Sequence, residues 1–120
     1  MVTRLIRWWQ WLALPWRRWQ IVLSVGEADE VPGRIPPMSA VIVDAESGPK
    51  WLAFDCPCSR HHRVLLNLSP RRKPRWSVQS QSPLSLIPSV DEFSNGERCH
   101  YVVHRGKVRW VERRQGGRYQ

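Results

Sequence analysis

The sequence predicts a mainly β protein: a small antiparallel β domain preceded by an N-terminal amphipathic helix. From residue 20 to residue 112, short runs rich in β-branched and aromatic residues alternate with glycine and proline, a pattern typical of strands joined by turns. Before residue 20, apolar residues recur at three- and four-residue steps, which indicates a helix with one apolar face. A group of cysteines and histidines adds a third observation, because it predicts a metal site within the β domain.

The N-terminal segment, residues 3–19, combines tryptophan with arginine and contains no carboxylate. Pro15 is expected to end or kink the helix, because proline removes a backbone donor and clashes with the preceding turn. Tryptophan beside arginine suits a membrane interface or a groove on a partner, so peripheral membrane contact through this segment is one interpretation. Packing on the chain's own core or on a sister chain is the other. The tryptophans expected to contact a partner are Trp8, Trp11 and Trp16.

The β domain is expected to end in a hairpin around Arg105-Gly106, because glycine supplies the positive φ that a two-residue turn requires. Alternation places Val108 and Trp110 on one face of its second strand. The predicted strands are 21–25, 40–44, 51–55, 62–68, 76–78, 84–87, 100–104 and 107–111. The chain therefore divides into a helix at 1–19, a metal-bound β domain at 20–112 and a flexible basic tail at 113–120.

The charge is strongly positive, with 19 Lys and Arg against 10 Asp and Glu and a formal net charge of +9. This balance favours an acidic partner, such as nucleic acid, an anionic membrane surface or an acidic protein face. A basic loop leads to a tryptophan whose ring could stack a base while the cations neutralise phosphates; an ordinary solvated basic surface is the alternative. The candidate partner contacts here are Arg71, Arg72, Lys73 and Trp76.

Cysteine number and hydropathy bear on the compartment. Three cysteines cannot all pair within one chain, which argues against a disulfide framework. No run of about 18 apolar residues is present, and the N-terminus lacks the features of a signal peptide. We therefore expect a cytoplasmic protein.

Cys56-Pro57-Cys58, followed by His61 and His62 and later by Cys99-His100, contains all three cysteines of the chain. Thiolate and imidazole are ligands that Zn²⁺ prefers, and a closed structural site takes four of them. In an extended segment, residues i and i+2 point the same way, so both upstream cysteines can face one ion. We expect a structural, zinc ribbon-like metal staple. The preferred ligands are Cys56, Cys58, Cys99 and His62, with His100 or His61 as the alternative fourth ligand.

The motifs WLAFDCPCSRHHRVLLNLSPRRKPRW, LSLIPSVD and RCHYVVHRGKVRWV resemble a bacterial family of small metal-binding proteins catalogued as a domain of unknown function. The resemblance covers roughly residues 39–111. It implies that Cys56 and Cys58 are paired metal ligands, that His62 is the family's histidine and that Cys99-His100 is the closing pair. The chain departs from the pattern at Ser59-Arg60, where some relatives have Gly-Cys, so it lacks a third upstream cysteine.

Members of that family are similar to proteins encoded beside bacterial ubiquitin-like modifiers and their activating and conjugating enzymes, which implies an accessory or adaptor role. The sequence is therefore interpreted as a non-enzymatic, zinc-binding interaction module with a protein partner in such a system. One alternative is a nucleic-acid-binding zinc module that uses the basic loop before Trp76. Another is an enzyme with Cys99 or a metal-bound water at its centre.

Overall fold

The computed structural model describes residues 18–58, 62–94 and 96–112. Most of the predicted helix, including Trp8, Trp11 and Trp16, lies outside these ranges, as do His61 and the predicted tail. The last residue of the predicted helix, Trp19, is described. It is not in a helix and is buried, and it meets Phe54 edge-on with 5.6 Å between the ring centroids.

Within the described ranges the chain forms nine strands and one short 3₁₀ helix, Ala28–Glu30. The strands are β1 (Gln20–Val25), β2 (Ser39–Ala45), β3 (Gly48–Asp55), β4 (Arg63–Asn67), β5 (Ser77–Gln81), β6 (Leu84–Ile87), β7 (Val90–Ser94), β8 (Glu97–His104) and β9 (Lys107–Glu112). The prediction of a mainly β protein is confirmed. No helix in this part of the chain is long and apolar enough to cross a membrane.

The strands form three sheets, in the orders β1-β2-β3-β4, β5-β6 and β7-β8-β9. All pairs are antiparallel except β1 and β2, which run parallel. A parallel pair needs a long connection to bring the chain back to the same end, and residues 26–38, which include the 3₁₀ helix, provide it. The predicted antiparallel arrangement therefore holds for every pair but the first.

One apolar cluster joins the three sheets. Phe54 on β3, Leu66 on β4 and Tyr101 on β8 are each at most 1% exposed, and the cluster also contains all three cysteines. Strands buried on one face alternate between core and solvent. The cysteines are thus positioned by the same packing that holds the sheets together.

The terminal hairpin forms as predicted. Arg105 (φ 52°) and Gly106 (φ 79°) both have positive φ, as the two central residues of a type I′ turn require. Val108 and Trp110 are half-buried against the core, and the Trp110 ring lies 5.1 Å from that of Tyr101. The turn is also bonded to its surroundings: Gly106 N–H donates to the Leu84 carbonyl at 2.7 Å.

Strand β7 was not predicted. Its sequence, VDEFS, has few apolar residues, so it was not recognised as a strand. It pairs with β8 from Val90↔Tyr101 to Ser94↔Glu97. The missed signal is Asn95-Gly96, a dipeptide typical of tight hairpins. This hairpin positions the candidate functional site.

A serine–histidine pair beside a cysteine–histidine cluster

A serine and a histidine meet at the start of the β7–β8 hairpin. Ser89 lies one residue before β7, and its Oγ is 2.9 Å from Nε2 of His100 on β8. Both side chains are half-buried. A hydroxyl within hydrogen-bond reach of an imidazole is the arrangement that activates a serine nucleophile.

The other nitrogen of the same imidazole, His100 Nδ1, is buried and has no hydrogen-bond partner within the described residues. Asp91 stands directly opposite His100 in the β7–β8 ladder, and directly opposed residues of an antiparallel pair share one face of the sheet. A carboxylate therefore lies beside the imidazole without bonding to it.

Arg98 keeps that carboxylate charged. Its Nε and Nη2 donate to Oδ1 and Oδ2 of Asp91 at 2.7 Å and 2.6 Å. The Arg98 guanidinium, and to a smaller extent His100, hold the pKa of Asp91 below its usual value. Asp91 is thus a fixed negative charge on the face that carries the imidazole.

The backbone of the serine is fixed from the side of β5. The indole Nε1 of Trp76 donates to the Ser89 carbonyl at 3.1 Å, and Ser77 pairs with Ile87 in the β5–β6 ladder. Trp76 is half-buried and packs against the core. Its indole therefore limits where the Ser89 backbone can lie.

On the other side of β8, three metal-ligating side chains come together. One ligand atom each from Cys56, His62 and Cys99 lie within 4.8 Å of one another, and both cysteines are buried. Cys56 N–H donates to the His62 carbonyl at 2.8 Å, which closes the loop between β3 and β4. These three residues are close enough to hold a metal ion.

The donor atoms suit a metal ion that binds cysteine sulfur as thiolate. Burial raises the pKa of the Cys56 and Cys99 thiols, so a bound cation would be needed to keep the buried sulfurs charged. The Tyr101 hydroxyl donates to Cys56 Sγ at 3.6 Å, an interaction that also favours the thiolate.

Cys58, the remaining predicted ligand, is outside this group of three but lies beside His62. Cys58 Sγ is 3.5 Å from Nδ1 of His62, close to the ~3.5 Å that separates a sulfur and a nitrogen on one tetrahedral zinc with bonds of about 2.3 and 2.0 Å. His62 Nε2 is buried and lacks a hydrogen-bond partner in the described part of the chain. Burial raises the pKa of the nearby Glu92, and attraction to His62 opposes that rise.

Neighbouring residues of β8 serve the two groups separately. Cys99 contributes to the cysteine–histidine cluster, whereas His100 bonds to Ser89 on the opposite face, because side chains alternate along a strand. Of the two alternative fourth ligands, His100 is therefore placed against the serine, and His61 lies outside the described residues.

The basic loop lies beyond β4 and is organised by Asn67. Its buried Nδ2 is 2.9–3.1 Å from the carbonyls of Ser69, Arg72 and Pro74, and its Oδ1 accepts the Ser69 N–H. The Arg72 guanidinium lies 5.7 Å from the Trp51 ring centroid, and Arg71 and Lys73 are exposed. The loop thus presents cations from a fixed backbone.

A serine hydroxyl hydrogen-bonded to an imidazole is the arrangement that serine hydrolases use for their nucleophile. Residues 27–111 match the family described as bacterial ubiquitination-like system serine protease (BubE). Because this match covers well over half of the 120 residues, the chain belongs to that family. No curated protein and no solved structure matches the chain.

The family overturns one prediction and supports another. The interpretation as a non-enzymatic adaptor is wrong, because the family is one of serine proteases. The association with bacterial ubiquitin-like systems is confirmed, and such a system is consistent with protein partners. The enzyme alternative fits better, although it was centred on Cys99 or a metal-bound water.

The residue that sequence reasoning missed is Ser89. It stands in the PSV motif that contributed to the family resemblance, but no chemistry was assigned to it. Its partner His100 was considered only as a metal ligand. Recognising the pair requires the β7–β8 hairpin, so the Asn95-Gly96 turn signal could have led to it.

Proposed function

We propose that this protein is a serine protease of a bacterial ubiquitination-like system, with Ser89 as nucleophile and His100 as general base. The observation that carries the proposal is the 2.9 Å contact between Ser89 Oγ and His100 Nε2. The family's description supports it independently. The substrate is then a peptide bond in a protein of such a system.

In the acylation step, His100 Nε2 accepts the hydroxyl proton while Ser89 Oγ bonds to the substrate carbonyl carbon. The imidazolium then donates that proton to the leaving amine as the C–N bond breaks, which leaves an acyl ester on Ser89. Water attacks the ester with His100 again as base, and the proton returns to Oγ as the acid product departs.

Asp91 assists through its charge. A positive imidazolium forms on His100 in each step, and a carboxylate on the same face of the sheet stabilises it. Arg98 keeps this carboxylate ionised and fixes both of its oxygens. Asp91 is therefore a positioning and electrostatic residue that acts on the base.

Cys56, Cys58, His62 and Cys99 are proposed to hold a structural zinc ion. Three sulfurs and one imidazole make a closed set of four ligands with no open position for a substrate, so zinc would contribute stability when bound. It would tie the β3–β4 loop to β8 at the residue next to His100. The ion would thereby fix the strand that carries the general base.

The proposed function is tested with p-nitrophenyl acetate, a small ester that reports acyl-enzyme formation. The wild-type protein is expected to release a burst of about one equivalent of p-nitrophenolate, because acylation outruns hydrolysis of the ester on Ser89. Ser89→Ala and His100→Gln are expected to lose the burst.

Ser82→Ala and His104→Gln are the matched controls, since both side chains are exposed and neither contacts the site. They should retain the burst. A burst of unchanged size in Ser89→Ala would contradict the proposal.

A further inference from the structure

A groove of about 480 Å³ runs along β5. One wall is formed by residues 76–81, and the opposite wall includes Ile42, Pro49 and Leu68. The lining is mixed, with apolar side chains on the sheet side and the polar sequence SVQSQ on the β5 side. Its volume and mixed lining suit a single extended peptide segment.

The wall formed by β5 has an unpaired edge. Among the described residues, β5 is hydrogen-bonded to β6 on one side, and no strand pairs with residues 77–81 on the other. Just before β5, the Trp76 N–H donates to the carbonyl of Asn67 at the end of β4 at 2.8 Å. Such an edge presents backbone N–H and C=O groups that an extended peptide can pair with, adding a strand to the sheet. The β5–β6 register shifts between Val78 and Ser80, so Gln79 bulges within this wall.

The groove is positively charged at its Trp76 end. Arg75 lines it, and the loop before it carries Arg71, Arg72 and Lys73, with no Asp or Glu anywhere in residues 69–81. Asn67 fixes the backbone of this loop. A cation that lines the groove, next to a loop that carries three more, favours a segment with acidic side chains.

At the same end, Trp76 connects the groove to the serine. Trp76 lines the groove and also donates its indole N–H to the Ser89 carbonyl. A peptide lying along β5 therefore passes beside the residue that holds the nucleophile's backbone. Trp76 thus links the groove to the backbone of the serine.

We propose that this groove binds an extended, acidic peptide segment of the protein substrate. The segment pairs with the β5 edge that no described strand covers and brings the bond to be cut to Ser89. The cutting step rests on the proposed function; the binding step does not. Main-chain pairing supplies affinity for any extended segment, and the loop cations supply the preference for acidic side chains.

Binding is measured on Ser89→Ala protein, so that no peptide is consumed. The probes are two pools of 12-residue peptides with a neutral dye, randomised at uncharged positions and carrying either two glutamates or two lysines. By fluorescence anisotropy at low salt, the glutamate pool is expected to bind at least about tenfold more tightly, and the difference should shrink as salt screens the cations.

Two variants of the Ser89→Ala protein locate the binding. The double variant Arg71→Glu with Lys73→Glu is expected to weaken binding of the glutamate pool about tenfold or more, because it reverses two charges in the loop that leads to the groove. Gln79→Pro is expected to weaken binding of both pools, because proline at this position alters the backbone of the β5 edge. The matched control is Lys107→Glu with Arg109→Glu, the same charge change on exposed residues of β9, and it should bind within about twofold of the parent.

Equal binding of the two pools, or equal binding by the loop and β9 double variants, would overturn the groove proposal. The absence of a p-nitrophenolate burst from the wild-type protein would instead overturn the proposed function. The two failures are separate, because the binding measurement needs no reaction at Ser89.

Discussion

Ser89 and His100 are 11 positions apart in the chain, yet Ser89 Oγ lies 2.9 Å from His100 Nε2. The β7–β8 hairpin makes this possible, because it places Asp91 directly opposite His100 and leaves Ser89 one residue before the first pair of the ladder. Alternation along β8 then separates the imidazole from the neighbouring thiol of Cys99. One strand thereby contributes to two sites without either residue serving both.

The alternation of Cys99 and His100 follows from the sequence, and it predicts that one site cannot use both residues without a bulge. The cysteine–histidine cluster was also predictable, because thiolate and imidazole are the ligands that zinc prefers. The role of Ser89 was not predictable in the same way. Serine is common in loops, and only its distance to His100 distinguishes this one.

Asp91 gives the first residue-scale prediction. Asp91→Asn should lower the acylation rate about 10- to 100-fold. The effect is smaller than the ~10⁴-fold loss of activity known for a carboxylate bonded directly to the catalytic imidazole, because Asp91 bonds to Arg98 instead. The burst rate with p-nitrophenyl acetate measures the effect.

Asp44→Asn is the control, an exposed carboxylate on β2. A structural role alone would move the melting temperature of Asp91→Asn and leave its burst rate intact, which would contradict the assignment of Asp91 to the base. The Asp91–Arg98 pair is partly exposed, so its own contribution to stability is expected to be below about 1 kcal/mol.

At the scale of elements, most strands were predictable from strong local sequence patterns. The strand that positions the candidate site, β7, has only a weak pattern and was not predicted. The β8–β9 hairpin was predictable from Arg105-Gly106 and from alternating apolar residues. Strand β7 was not recognised, because it has polar and charged residues at most positions and gains its order by pairing with β8. The parallel pairing of β1 with β2 depends on the path of residues 26–38, which no local pattern determines.

The β8–β9 turn yields an element-scale prediction. Gly106 has φ 79°, and a Cβ added there would lie 2.5 Å from Arg18 Cβ and 3.0 Å from Pro83 Cβ. Gly106→Ala should therefore lower the free energy of unfolding by about 2–4 kcal/mol, through left-handed strain and overpacking. Urea denaturation measures the loss.

Gly33→Ala is the matched control, because nothing lies within 4 Å of its added Cβ and its φ is not positive. Its stability should stay within about 1 kcal/mol of the wild type. Equal effects of the two substitutions would contradict the close packing of the turn against residue 18 and Pro83.

At the scale of the whole molecule, the cysteine–histidine cluster and the apolar core are one structure, since Cys56, Cys58 and Cys99 belong to the same buried cluster as Phe54 and Tyr101. When the free zinc concentration is a thousand times the Kd, removing the zinc is expected to lower the free energy of unfolding by about 4 kcal/mol. Thermal unfolding with and without a chelator measures this. A protein that stays equally stable after the metal is stripped would contradict a structural metal.

The affinity for zinc is expected to increase with pH. Burial holds the pKa of the Cys56 and Cys99 thiols above the ordinary value, so in the metal-free protein both are protonated near neutral pH. Binding must therefore release protons, and raising the pH favours it. Isothermal titration in buffers of different ionisation enthalpy counts the protons, and a count of zero would exclude thiolate ligands.

The central claim is that Ser89 is a nucleophile activated by His100, and covalent labelling tests it most directly. A fluorophosphonate should phosphonylate the folded wild-type protein once, and peptide mass spectrometry should locate the adduct on Ser89. His100→Gln should label at least about 100-fold more slowly, because the hydroxyl loses its base, whereas His104→Gln should label normally. An adduct on any other residue, or His100→Gln labelling at the wild-type rate, would contradict the account.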